Sequence, residues 1–116
     1  SIVKSVVFID ETNRPENYII KDLLRNNNIK IFDNFCDIPN SNIIIIDSAS
    51  KCERRQLSNK TLIVLFDSID VLKEYLQLYN RFYFLVKPLK FAEILALKDF
   101  ILQIGSADLP EYKLVE

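Results

Sequence analysis

The chain has 116 residues, a formal net charge of −1, 49% hydrophobic and 27% charged residues, which fits one domain with a real core and is too short for two. It has no His and a single Gly, Gly105, so a Ser-His-Asp triad, a His-ligated metal centre and a glycine-rich phosphate or dinucleotide loop are all excluded. No basic excess exists to neutralise phosphates, so direct nucleic-acid contact is not expected, and no apolar run exceeds five residues, too few for a membrane-spanning helix.

Cys36 and Cys52 cannot build a four-ligand zinc site and are expected to be free thiols without a catalytic role. With no signal-peptide pattern, a cytoplasmic location is expected. Ser1 in place of an initiator Met suits a processed or excised chain.

The first apolar run, Val6-Val7-Phe8-Ile9, ends at Asp10-Glu11. A helix follows from Pro15, a residue tolerated in a first turn, with Asn13 as its expected cap. Its expected apolar stripe is Tyr18, Ile19, Leu23 and Leu24, and Asn26-Asn27-Asn28 stop it. Residues 29–35 alternate in polarity, which suits an edge strand. Only six residues, 36–41, then precede Asn42. A crossover between parallel strands commonly needs about a dozen residues, so the second helix of a regular α/β alternation is expected to be missing. A β-hairpin through Asp37-Ile38-Pro39-Asn40 is the alternative at this point.

Ile43-Ile44-Ile45-Ile46 ends at Asp47. The next helix must fit within residues 48–60 and is expected to be short. The run 62–66 ends at Asp67-Ser68, either of which can cap a helix whose inward positions are Val71, Leu72, Tyr75, Leu76 and Tyr79. Residues 82–86 end at Lys87-Pro88. A final helix carries Phe91, Ile94, Leu95, Leu97, Ile101 and Leu102, with Gly105 as its stop. The expected domain is 1–105, with 106–116 a linker or extension.

Five short runs, four of them apolar on both parities, predict strands buried on both faces, and their alternation with helices predicts a parallel sheet. In such sheets ligands bind beyond the carboxyl ends of the strands, where the strand order reverses. Asp10, Glu11, Asp47 and Lys87 all emerge there. Three carboxylates held together repel unless a cation compensates, and a hard oxygen site suits Mg²⁺. One carboxylate can also attack a phosphoryl group, with a lysine neutralising the transferring oxygens. Lys87 can equally serve as a clamp on Asp47.

Asp10-Glu11 after the first strand, Asp47 after the third and Lys87-Pro88 after the fifth resemble a response-regulator receiver domain over roughly residues 3–104. The resemblance implies a flavodoxin-like, doubly wound five-stranded parallel sheet of order 2-1-3-4-5. It implies that Asp47 is the phosphoacceptor in a two-component phosphorelay and that a histidine kinase is the donor. Asp10, Glu11, Asp47 and the main-chain carbonyl of Ala49 would hold Mg²⁺, and Lys87 would contact the phosphoryl group. Phe84 matches the aromatic whose rotamer reports activation in this family.

One departure concerns the switch. Receivers carry Thr or Ser at the end of the fourth strand, and Phe66 falls there, or Asp67 with a small shift; Ser68 and Ser48 are the nearest hydroxyls. A second departure is the trimmed cover over one sheet face, which predicts apolar surface at residues 43–46 and a partner, a second copy or the tail upon it. The alternative to a working phosphoacceptor is a phosphorylation-independent pseudo-receiver that binds proteins or dimerises through the helix after strand four, the fifth strand and the final helix. A Mg²⁺-dependent phosphatase is the third reading; it is disfavoured because hydrolysis needs a separate acid or base and His is absent.

Overall fold

The computed structural model describes residues 4–50, 59–77 and 82–104. Five strands, β1 (Lys4–Ile9), β2 (Ile29–Phe32), β3 (Ile43–Asp47), β4 (Thr61–Phe66) and β5 (Tyr83–Val86), form one parallel sheet in the order β2-β1-β3-β4-β5. This is the flavodoxin-like arrangement, and it excludes the hairpin, since β1 lies between β2 and β3.

Alternation along the strands divides the core into two layers. Val6, Phe8, Ile43, Ile45, Ile63 and Leu65 point to the face covered by α1 (Pro15–Asn26) and α3 (Phe91–Gln103), where they meet Ile20, Leu24, Ile94, Leu97 and Ile101. Val7, Ile9, Ile44, Ile46, Leu62, Val64 and Phe66 point to the other face, with Leu72 of α2 (Ile69–Tyr75) and Ile38. Runs that are apolar on both parities serve both layers at once, which is why the central strands show no alternation in sequence.

The short link after β2 is a 3₁₀ helix, Phe35–Asn40, containing Pro39. Tight helices of this kind suit short connectors because each residue advances further along the axis. The Ser41 hydroxyl closes the link by donating to the Ser5 carbonyl at 2.7 Å and accepting from the Ile43 N–H at 3.1 Å. Lys60 Nζ donates to the Ser41 carbonyl at 2.7 Å. The trimmed face is not bare. Ile44 and Ile46 are buried, with Ile38 packed in the same cluster, so the expected apolar surface at residues 43–46 is absent. The helix expected within 48–60 falls largely outside the described residues, as do Tyr79, Gly105 and the segment 106–116.

The first helix turns a different face inward from the one its apolar residues suggest. Asn17, Ile20, Lys21 and Leu24 are buried, whereas Tyr18 and Ile19 are exposed. Lys21 is accommodated because its ammonium pairs with Asp33 at 2.9 Å and lies 5.0 Å from the Phe8 ring centroid. The N-cap is Arg14 rather than Asn13, which takes a positive φ of 51° in the turn before the helix, a conformation Asn tolerates better than most residues. Ser68 caps α2 as expected, its hydroxyl accepting from the Val71 N–H. Leu76, expected inward, is exposed just past the end of α2, and Phe91 and Leu102 of α3 are exposed too.

Candidate functional site

The site lies at the carboxyl ends of β1, β3 and β5. Asp47 is the last residue of β3 and continues the parity of Ile43 and Ile45, so its carboxylate turns toward α1. It is 0% exposed, a position where a charge must be paired. Three donors pair it. Lys87 Nζ lies 2.5 Å from Oδ2, Asn17 Nδ2 donates to the same oxygen at 2.9 Å, and the Ala49 N–H donates to Oδ1 at 3.0 Å. Lys87 leaves the end of β5 through a cis peptide to Pro88, and its side chain is only 6% exposed; Glu16 at 3.6 Å is its second carboxylate.

Burial pushes the Asp47 carboxyl up, but Lys87, Asn17 and the Ala49 N–H outweigh it and hold the group below its ordinary value. A carboxyl whose folded pKa is depressed adds stability above its unfolded value, about 3.9, and that contribution disappears as pH falls through the lower folded value. Urea unfolding of the wild type is therefore expected to show a steeper loss of stability below about pH 4 than Asp47→Asn. Equal slopes would mean that Lys87 and Asn17 do not favour the ionised form.

Asp10, at the end of β1, organises the following loop. Its Oδ1 accepts from the Thr12 N–H and hydroxyl, and its Oδ2 from the Arg14 N–H. Burial acts to raise its pKa; the Asn17 amide, Thr12 and the Arg14 N–H lower it further than burial raises it. Glu11 is exposed, and its N–H donates to the Ser50 hydroxyl at 2.9 Å. Thus Asp10 and Asp47 both feel the Asn17 amide, while the Glu11 carboxylate stays outside. Among the described residues no three Asp, Glu or Cys side chains group as a metal site. The donor types nonetheless fit a hard cation: two carboxylates favoured in ionised form, and the buried amide oxygen of Asn17, which has no hydrogen-bond partner.

Phe66 is fully buried, and its ring belongs to the α2 face, opposite the side toward which Asp47 turns. It contacts Tyr75 edge-on at 5.0 Å between centroids, Phe82 at 5.9 Å and Phe84 at 6.3 Å. Phe84 is 37% exposed at the outer end of this aromatic row. Asp67 pairs with Arg14 across the mouth of the site, and this raises the Arg14 pKa. Ser48, next to Asp47, has a buried hydroxyl without a partner. Beside Lys87 opens a cleft of about 590 Å³ lined by Arg14, Glu16, Ile19, Asp67, Pro88 and Leu89 among others.

Sequence reasoning passed over Asn17 and Arg14. The signal for Asn17 was available: positions 17, 20, 21 and 24 have the i, i+3, i+4, i+7 spacing of a buried helix face, and a polar residue on such a face needs a partner. No comparable signal marks Arg14, whose partner depends on tertiary placement.

No family model and no curated protein sequence matches the chain. Its fold is similar to that of a response regulator from Desulfuromonas acetoxidans, with a TM-score of 0.64 at 15% identity over 88% of this chain and 98% of that one. A fusion protein carrying a trimeric coiled-coil segment of yeast Spc42 is similar too, with a TM-score of 0.64 at 9% identity over 90% of this chain and 80% of that one. At these identities the likeness establishes the fold.

Proposed function

We propose that the protein is a receiver domain of two-component signalling in which Asp47 accepts a phosphoryl group from the phosphohistidine of a histidine kinase. The observation that carries this reading is a buried carboxylate, favoured in its ionised form, at the end of β3 with the Lys87 ammonium 2.5 Å from one oxygen. Lys87 and Asn17 both engage Oδ2, and Oδ1 takes a single N–H, so Oδ1 is the freer nucleophile. It attacks phosphorus, an O–P bond forms, and the P–N bond breaks with its electron pair leaving on the donor imidazole. Lys87 neutralises charge on the transferring oxygens. Asp10, Glu11, Asp47 and the Ala49 carbonyl are the oxygens that would hold Mg²⁺, which when bound supplies charge neutralisation at the phosphoryl group.

Two observations favour a second reading, a pseudo-receiver that works as a protein-binding module. Asp47 has no exposed surface, so a donor reaches it only after the loop after β1 or Lys87 moves. Phe66 fills the place of the switch hydroxyl with a ring packed on the opposite face. Exposed Ile69, Leu76 and Phe84 on the α2–β5 edge support that edge as a contact surface for a partner or a second copy.

Intact-mass spectrometry after incubation with acetyl phosphate and Mg²⁺ separates the two. A phosphoryl adduct is expected on the wild type and not on Asp47→Asn. A folded wild type without an adduct would leave the pseudo-receiver reading.

A further inference from the structure

Asn17 is the one polar residue in the buried face of α1 that has no charge of its own, and it is fully buried. Its nitrogen is accounted for by Asp47 Oδ2 at 2.9 Å, and its amide also acts on Asp10. Its oxygen has no partner among the described residues. A buried acceptor left unpaired is costly and rare in native structures, and Asp47 would keep Lys87 and the Ala49 N–H without Asn17. That oxygen belongs to the same planar amide as the nitrogen that donates to Asp47.

The carboxylates themselves fall short of a three-ligand group among the described residues, because the Glu11 side chain is exposed while Asp10 and Asp47 turn toward Asn17. We infer that Asn17 Oδ1 is a further protein oxygen facing the divalent cation, a ligand contributed by α1 in addition to the loop after β1 and the end of β3. The inference rests on the reading of Asp47 as a cation-assisted phosphoacceptor. Its chemistry is that of a hard, neutral oxygen donor, which suits Mg²⁺ and adds no repulsion between the two carboxylates. The amide thus has two tasks: its N–H holds Asp47 in place, and its oxygen adds a neutral ligand to the carboxylates of the site.

The test is a Mg²⁺ titration of the full chain followed by ¹H–¹⁵N spectra, in which the Asn17 side-chain NH₂ pair reports directly. In the wild type this pair is expected to shift saturably with Mg²⁺. Asn17→Leu, close in size and without the oxygen, is expected to bind Mg²⁺ at least tenfold more weakly while its dispersed spectrum is retained. Asn17→Asp keeps an oxygen and adds a charge, so it is expected to bind more tightly than the wild type; it decides the matter if the Leu variant does not fold. Wild-type affinity in Asn17→Leu, or weakened binding in Asn17→Asp, would overturn the inference. The acetyl phosphate adduct, measured on the same samples, separates this from the parent reading. An adduct on the wild type with unchanged Mg²⁺ affinity in Asn17→Leu removes Asn17 alone. Mg²⁺ affinity lost in Asn17→Leu but no wild-type adduct removes the phosphoacceptor alone, and a wild type that binds no Mg²⁺ removes both.

Discussion

Lys87→Met is expected to lower folding stability by about 3–5 kcal/mol, the usual result of removing one partner from a buried ion pair. The reason is the asymmetry of the pair. Asp47 has no exposed surface, and without the ammonium its carboxylate keeps only the Asn17 amide and the Ala49 N–H. Asp47→Asn is expected to cost far less, about 1 kcal/mol, because the amide oxygen still accepts hydrogen bonds and Lys87 retains Glu16 at 3.6 Å. The double variant Asp47→Asn with Lys87→Met should therefore recover most of what Lys87→Met loses. Urea unfolding at pH 7 of the four proteins measures this directly. A double variant as unstable as Lys87→Met would show that Lys87 acts through packing of its stem and not through charge.

Phe66→Ala is the second substitution with a large expected effect, a loss of about 3–5 kcal/mol. Its ring is buried and touches Tyr75, Phe82 and Phe84, so truncation leaves a cavity between β4 and α2 that those rings cannot all close. Phe84→Ala, at the exposed end of the same row, is expected to cost only about 1 kcal/mol, the size of one aromatic pair. Urea midpoints of the two variants check the ratio. Similar losses from both would mean that the row acts as one cooperative unit and not as a core residue with a rim.

The sheet was largely legible in the sequence because four of its strands are apolar on both parities and each of these ends in a charged group. Three of those ends, Asp10, Asp47 and Lys87, are the ones that the topology brings together. The strand order came from the family resemblance; nothing in the strand sequences themselves dictates which neighbours pair. The face of α1 was misread because hydrophobicity is a poor guide where tertiary partners exist. Lys21 is buried by Asp33 and the Phe8 ring, and Asn17 by Asp47, while Tyr18 and Ile19 remain outside. The cover of the trimmed face was misjudged for a related reason. A 3₁₀ helix of six residues can deliver one well-placed side chain, Ile38, to the sheet. The Arg14–Asp67 pair was beyond sequence reasoning, since its partners are 53 positions apart in two loops.

The strand order also decides which parts of this chain can meet another chain edge to edge. An aggregation-prone stretch is Ile43-Ile44-Ile45-Ile46, a β-branched window without charge or Pro of the kind that forms stacked cross-β assemblies when unprotected. The order β2-β1-β3-β4-β5 places it at the centre, with both its ladders occupied by β1 and β4. The outer strands of this order are β2 and β5, each four residues long. The outer strand β2 carries an exposed lysine, Lys30, and is followed by Asp33, held by Lys21 and Arg25. A short edge that carries charge, as β2 does, is a poor template for a further strand. The sheet thus keeps this stretch away from both of its edges, and that protection lasts only while β1 and β4 stay paired to β3.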